Sequence, residues 1–113
     1  MTKSTVATLK IRPSIFDLIR NGIKEYEIRD SSLEGVDIIC YLDSETGVFL
    51  GSYSVCGVER VGRSADQQTI ERSGVNADTF YELFPSASVG GPEVLWVAKL
   101  QNPVDTNDAL GIG

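Results

Sequence analysis

A chain of 113 residues with 42% hydrophobic and 8% aromatic content has the length of one domain and the composition of a folded one, which excludes two domains or a disordered chain. Its net charge of −6 argues against broad, non-specific attraction to nucleic acid, and the lack of histidine excludes a cysteine–histidine catalytic pair and the histidine zinc sites. No window approaches the roughly 18 apolar residues of a membrane span, and MTKSTVATLK has no signal-peptide core, so a soluble, cytoplasmic protein without a membrane partner is expected.

VATLKI (6–11) reads as a first strand, with Val6, Thr8 and Lys10 opposing Ala7, Leu9 and Ile11. Arg12-Pro13 stops it, because proline cannot continue the ladder but suits the first turn of a helix. SIFDLIRNG follows with Ile15, Leu18 and Ile19 at helical spacing and Ser14 with Asp17 as a candidate capping box. Asn21-Gly22 ends this helix, and Ile23 is placed to fold back on Leu18 in a Schellman motif.

Residues 24–29 alternate like a strand, with Lys24, Tyr26 and Ile28 on one face and Glu25, Glu27 and Arg29 on the other. VDIICYL (36–42) reads as a buried strand, DSETG as a hairpin connection and VFLGSYSVCGVERV (48–61) as a long returning strand. Gly51 and Gly57 inside it predict bulges. RSADQQTIERSG (63–74) reads as a mostly exposed helix. VNADTFYELFP is a better one, with Asn76 as N-cap, Val75 and Phe80 as a staple and Pro85 as the stop. PEVLWVAKL (92–100) is a final strand with Trp96 in the core, and the tail from Gln101 is expected to fray. Cys40 and Cys56 both lie in apolar runs and read as two buried thiols. The order β, α, β, β, β, α, α, β predicts an α+β fold, a small mixed β-barrel of about five to six strands with two or three flanking helices.

Charge is uneven along the chain. Residues 1–29 carry six basic residues against three acidic ones, and the remainder four against thirteen. The basic charge gathers around the first helix and the charged strand, so one face can attract an anion while the rest repels it. A strand so charged is also what an edge needs to resist aggregation, and that bland use competes with any ligand.

The stretch LKIRPSIFDLIRNGIKEYEIRD resembles the opening of ASCH domains, members of the PUA-like superfamily. Their G-x-K-x-x-E-x-R pattern is met here by Gly22, Lys24, Glu27 and Arg29. FLGSYSVCGVERV, VNADTFYELFP and VLWVAKLQNP resemble later segments of the same family, so the likeness runs over residues 7–103 of a single domain. The resemblance implies a PUA-like barrel with a cleft on one side. It also implies RNA or a nucleotide-like small molecule as partner, with Arg12, Lys24, Glu27 and Arg29 as ligand-binding residues.

Arginine offers a planar fork for phosphate or a base edge, lysine a point charge, and Glu27 an acceptor for an exocyclic amine. Tyr26 is the first candidate for stacking an unpaired base, with Tyr41, Tyr53 and Phe49 behind it. Some small ASCH-like proteins are hydrolases, either amidohydrolases acting on N4-acylated cytidine or ribonucleases. Under that alternative Lys24 and Glu27 become catalytic. The amidohydrolases match this chain at Gly22, Lys24, Arg29 and Asp30, carry threonine in place of Glu27, and use a later glutamate matched only loosely by Glu71. A protein-interaction module without ligand is the third class, and it requires these charges to be solvent-exposed and paired with each other. Neither a cofactor nor a metal site is expected, since the carboxylates show no calcium-loop spacing.

Overall fold

The computed structural model describes residues 4–104. Strand β1 (Val6–Ile11) takes the predicted bounds. Arg12 stays extended at φ −68° and ψ 135°, since the proline after it disfavours the helical region. Pro13 then opens α1 (Pro13–Arg20). With proline in the first helical position the N-cap is Arg12, so the expected Ser14–Asp17 capping box does not form. Asp17 pairs instead with Arg20 at 2.7 Å.

The remaining strands are β2 (Tyr26–Arg29), β3 (Ile38–Asp43), β4 (Phe49–Gly62) and β5 (Val94–Pro103), hydrogen-bonded in the order β1-β3-β4-β5-β2. β1 and β3 are parallel and the other pairs antiparallel. The sheet curls into a half-barrel that brings its two edges together. Arg29 at the end of β2 donates through Nη2 to the Lys10 carbonyl of β1 at 2.8 Å, bridging the seam.

The bulges fall where the glycines predict. Register shifts lie opposite Phe49–Gly51 and between Val55 and Gly57. A Cβ on Gly51 would stand 2.9 Å from the Phe16 ring, so its absence lets α1 settle on the sheet. Cys56 sits inside the second shift and is exposed, whereas Cys40 is buried, so the expectation of two buried thiols holds for one. The last strand runs past Leu100 to Pro103 because Tyr53 of the long β4 still pairs there, against the expected fraying from Gln101. The rest of the expected tail, 105–113, lies outside the described residues. Trp96 is half-buried: it packs on the core with one side and faces an open groove with the other.

Two larger apolar clusters fill the interior, beside a small one of Ile38 and Cys40. Ile11, Phe16, Ile19, Ile39, Tyr41 and Leu100 are among the first, beneath α1. Ile28, Phe80, Leu95 and Val97 form the second, beneath α3 (Ala77–Leu83). Asn76 caps α3 by accepting from Thr79 N–H at 2.8 Å, and Val75 and Phe80 share the second cluster as the staple requires. A turn of 3-10 helix at Arg63–Ala65 leads into α2 (Asp66–Ser73).

α2 departs from the expected exposed helix, since it buries Asp66, Thr69 and Ser73. That polar face is tolerated because each member is bonded: Asp66 to Arg63 at 2.8 Å, Thr69 to Ala65 O at 3.1 Å and Ser73 to Ile70 O at 2.6 Å. Arg63 also donates to the carbonyls of Phe84, Pro85 and Pro92, each at 2.8 Å, and so ties the loop after α3 to the sheet.

Candidate functional site

The site starts at the C-terminus of α1. Gly22 takes φ +75°, a conformation that costs glycine little. The chain then doubles back: Gly22 N–H bonds Ile19 O at 3.0 Å and Ile23 N–H bonds Leu18 O at 2.9 Å, the two bonds of a Schellman motif. The Ile23 side chain stays 64% exposed, so the turn rests on its backbone bonds. Leu18 O accepts a second N–H, from Lys24 at 3.0 Å, and this bond delivers Lys24 to the interior. The spacing from glycine to lysine is thus a consequence of how the helix ends.

Lys24 is only 7% exposed. Its ammonium donates to Ser73 O at 2.7 Å, at the carbonyl end of α2, where the helix dipole favours a cation. Its stem lies against Gly74, where a Cβ would come within 3.1 Å of Lys24 Cβ. Burial pushes the Lys24 pKa below the usual lysine value; the Glu27 carboxylate opposes that shift, and the Arg29 guanidinium adds to it.

Glu27 is 3% exposed. Its Oε2 accepts from Ile28 N–H and from Arg29 Nε, both at 3.0 Å. Its Oε1 is buried without a partner among the described residues, as is the Tyr41 hydroxyl. Burial raises the Tyr41 pKa well above its ordinary value, and the Glu27 carboxylate raises it further, by its charge and as an acceptor for the Tyr41 hydroxyl, so these two groups sit beside each other. Arg29 is spoken for twice, by Glu27 and by Lys10 O, and keeps an outer part of its guanidinium accessible.

These groups line one cleft of about 330 Å³, set between the two apolar clusters. Ile11 and Ile15 wall one side, and Phe80, Leu83 and Phe84 the other. Lys24, Glu27 and Arg29 are at its polar side, and Lys10, Arg12 and Asp30 also line it. The predicted alternation had put Lys24 and Glu27 on opposite faces. They meet because β2 begins only at Tyr26, so Lys24 belongs to the helix exit and escapes the strand's parity.

Tyr26 does not join them. It packs at the edge of the second cluster, outside the cleft, with the Arg72 guanidinium 5.3 Å from its ring centre. None of the other aromatics singled out in the sequence lines the cleft either: Tyr41 is fully buried, Tyr53 packs against Phe16 and Phe49 lies at the far hairpin. The aromatic wall is Phe80 and Phe84. Their helical spacing was readable, but which cavity that helix would border was not. Glu71, the loose match to the amidohydrolase glutamate, is exposed on α2 and away from the cleft.

No protein-family model and no curated protein matches this sequence. Among solved structures, the chain is similar to an ASCH protein from Zymomonas mobilis, with TM-score 0.66 and 14% identity over 92% of this chain and 76% of that one. Two single-substitution mutants of that protein give TM-score 0.70 at 13% and 12% identity, covering 92% and 96% of this chain and 78% and 79% of theirs. The chain has the ASCH fold. In this ASCH-fold domain the G-x-K-x-x-E-x-R residues are set by backbone events: a helix exit for Lys24, a short edge strand for Glu27, and the barrel seam for Arg29. No group of three or more metal-binding side chains is found among the described residues, nor is any helix there long and apolar enough to cross a membrane.

Proposed function

We propose that the domain binds a nucleotide-like ligand, free or as an unpaired nucleotide of RNA, in the cleft of Lys24, Glu27 and Arg29. The observation that carries this reading is the convergence of Lys24, Glu27 and Arg29, the first two buried, on one cleft with an apolar wall. Buried charges are costly in a folded core, and their gathering in a concave pocket marks a candidate binding site. The opposite wall of Phe80, Leu83 and Phe84 suits the flat apolar face of a base, and a cleft of this volume is at the lower end of ligand-site sizes. Edge-strand protection alone does not call for buried charges, and a ligand-free interaction module would have Lys24 and Glu27 exposed. Arg29 is the exception, since it also has a structural task at the seam.

A second reading is supported by Lys24. Its lowered pKa and its place beside Glu27 are what a lysine base or nucleophile with a carboxylate acid/base needs, as in hydrolysis of an acylated cytidine or of RNA. Against it stands the 2.7 Å bond from Nζ to Ser73 O, which a reacting lysine must give up. Amide NMR titration with short unpaired RNA, cytidine and N4-acetylcytidine at low salt tests both. Shifts around residues 24–29 are expected under either reading. Loss of the acetylated compound's own signals promotes the hydrolase, and no shifts with any of the three removes the nucleotide reading.

A further inference from the structure

The mouth of the cleft carries a charge pattern that its floor does not explain. Lys10 and Arg12 are both exposed, both line the cleft, and neither pairs with a carboxylate among the described residues. Arg29 reaches the same mouth, since its Nη2 bonds the carbonyl of Lys10 itself. Two acidic residues share the lining, Asp30 and Glu27, the latter paired with Arg29 at 3.0 Å. Deeper in, Lys24 adds a fourth cation. Four cations against two carboxylates leave the cleft with two net positive charges on a chain whose total is −6.

Two further features favour an anion at this point. Ser44 is drawn to the rim by its backbone N–H bond to Ile11 O at 2.9 Å and lines the cleft. α1 starts at the same place with no acidic residue in its first turn and no side-chain cap, so its positive end is not offset locally.

Resting on the nucleotide reading above, we infer that Lys10, Arg12 and Arg29 form a subsite for a phosphomonoester, so that the ligand is a nucleoside monophosphate or the phosphorylated end of a strand. Such a group carries about −1.5 to −2 charge at pH 7, which matches the two net positive charges of the cleft. A phosphodiester inside a strand carries one charge and continues on both sides. Outside the first 29 residues the chain holds thirteen acidic residues against four basic ones, a surface that repels a continuing backbone. Arginine at two of the three positions suits the tetrahedral oxygens, because the guanidinium presents paired donors.

Isothermal titration with cytidine, cytidine monophosphate, the unphosphorylated dinucleotide CpC and its terminally phosphorylated form, at low salt, tests this. The monophosphate is expected to bind at least tenfold more tightly than cytidine, with the advantage falling as salt is raised. In the double variant Lys10→Ala/Arg12→Ala the ratio of the two affinities should fall towards one. Both side chains are exposed and unpaired, so the fold should survive the change. A phosphorylated dinucleotide matching the monophosphate makes a strand end the source; much weaker binding makes it the free nucleotide, and either supports the subsite. Equal affinity for cytidine and its monophosphate overturns the subsite while leaving the nucleoside cleft standing. CpC binding as tightly as the monophosphate overturns the preference for a monoester. Failure of all four to bind brings down the nucleotide reading itself.

Discussion

Glu27→Ala separates a working hub from a decorative charge. Glu27 is 3% exposed and stands between two cations, so its removal leaves Lys24 and Arg29 without their shared counter-ion. It also deprives Ile28 N–H and Arg29 Nε of an acceptor at 3.0 Å each. Breaking a buried ion pair from one side costs about 3–5 kcal/mol. One circumstance reduces that figure: Arg29 is 27% exposed and can turn to water.

A loss of about 2–4 kcal/mol is expected near neutral pH, read from urea unfolding. The pH dependence is more specific. The folded Lys24 pKa lies below the unfolded value of 10.5, chiefly through burial. Between the two values the unfolded chain holds more protons, so stability from this group rises with pH across that window. Glu27 counteracts the shift, so without it the folded value drops further and the window opens at lower pH. The cost of Glu27→Ala should therefore be largest near neutrality and shrink as pH approaches 10.5. A loss below about 0.5 kcal/mol, the ordinary surface range, or a cost that grows with pH, refutes the hub.

Other consequences can be measured with the same material. Arg63→Ala removes the donor to three carbonyls and to Asp66, and should cost about 3 kcal/mol in chemical unfolding; a cost under 1 kcal/mol would mean the loop after α3 holds without it. Gly22→Val must force a β-branched residue to φ +75°, so the melting temperature should fall by several degrees, and an unchanged value contradicts the helix-exit account. Lys24→Ala should weaken ligand binding on the order of 1–3 kcal/mol, and equal affinity in variant and parent would take Lys24 out of the cleft's function.

Much of the fold was legible in the sequence because its punctuation is local. Pro13, Gly22, Asn76 and Pro85 start or stop elements by backbone geometry that needs no partner, and the glycines of β4 announce its bulges. What was not legible depends on distant partners. The buried polar face of α2 looks exposed until Arg63 and the local carbonyls are in place. The strand parity that separated Lys24 from Glu27 failed because the Lys24 N–H is taken by Leu18 O at the helix exit, so the strand begins only at Tyr26. Tyr26 looked like a stacking residue by proximity to the motif, yet it lines a separate groove with Arg72, Val97 and Lys99, and Phe80 and Phe84 take the wall from a segment fifty residues later.

The most direct test of the cleft is methyl NMR of the wild-type domain on addition of cytidine monophosphate. The account predicts saturable shifts at the methyls of Ile15, Ile28, Val75 and Leu83, which line the cleft, with Val36, Val55 and Val58 in the groove beside Trp96 unmoved. Shifts confined to that second groove, or none at any concentration reached, would contradict it.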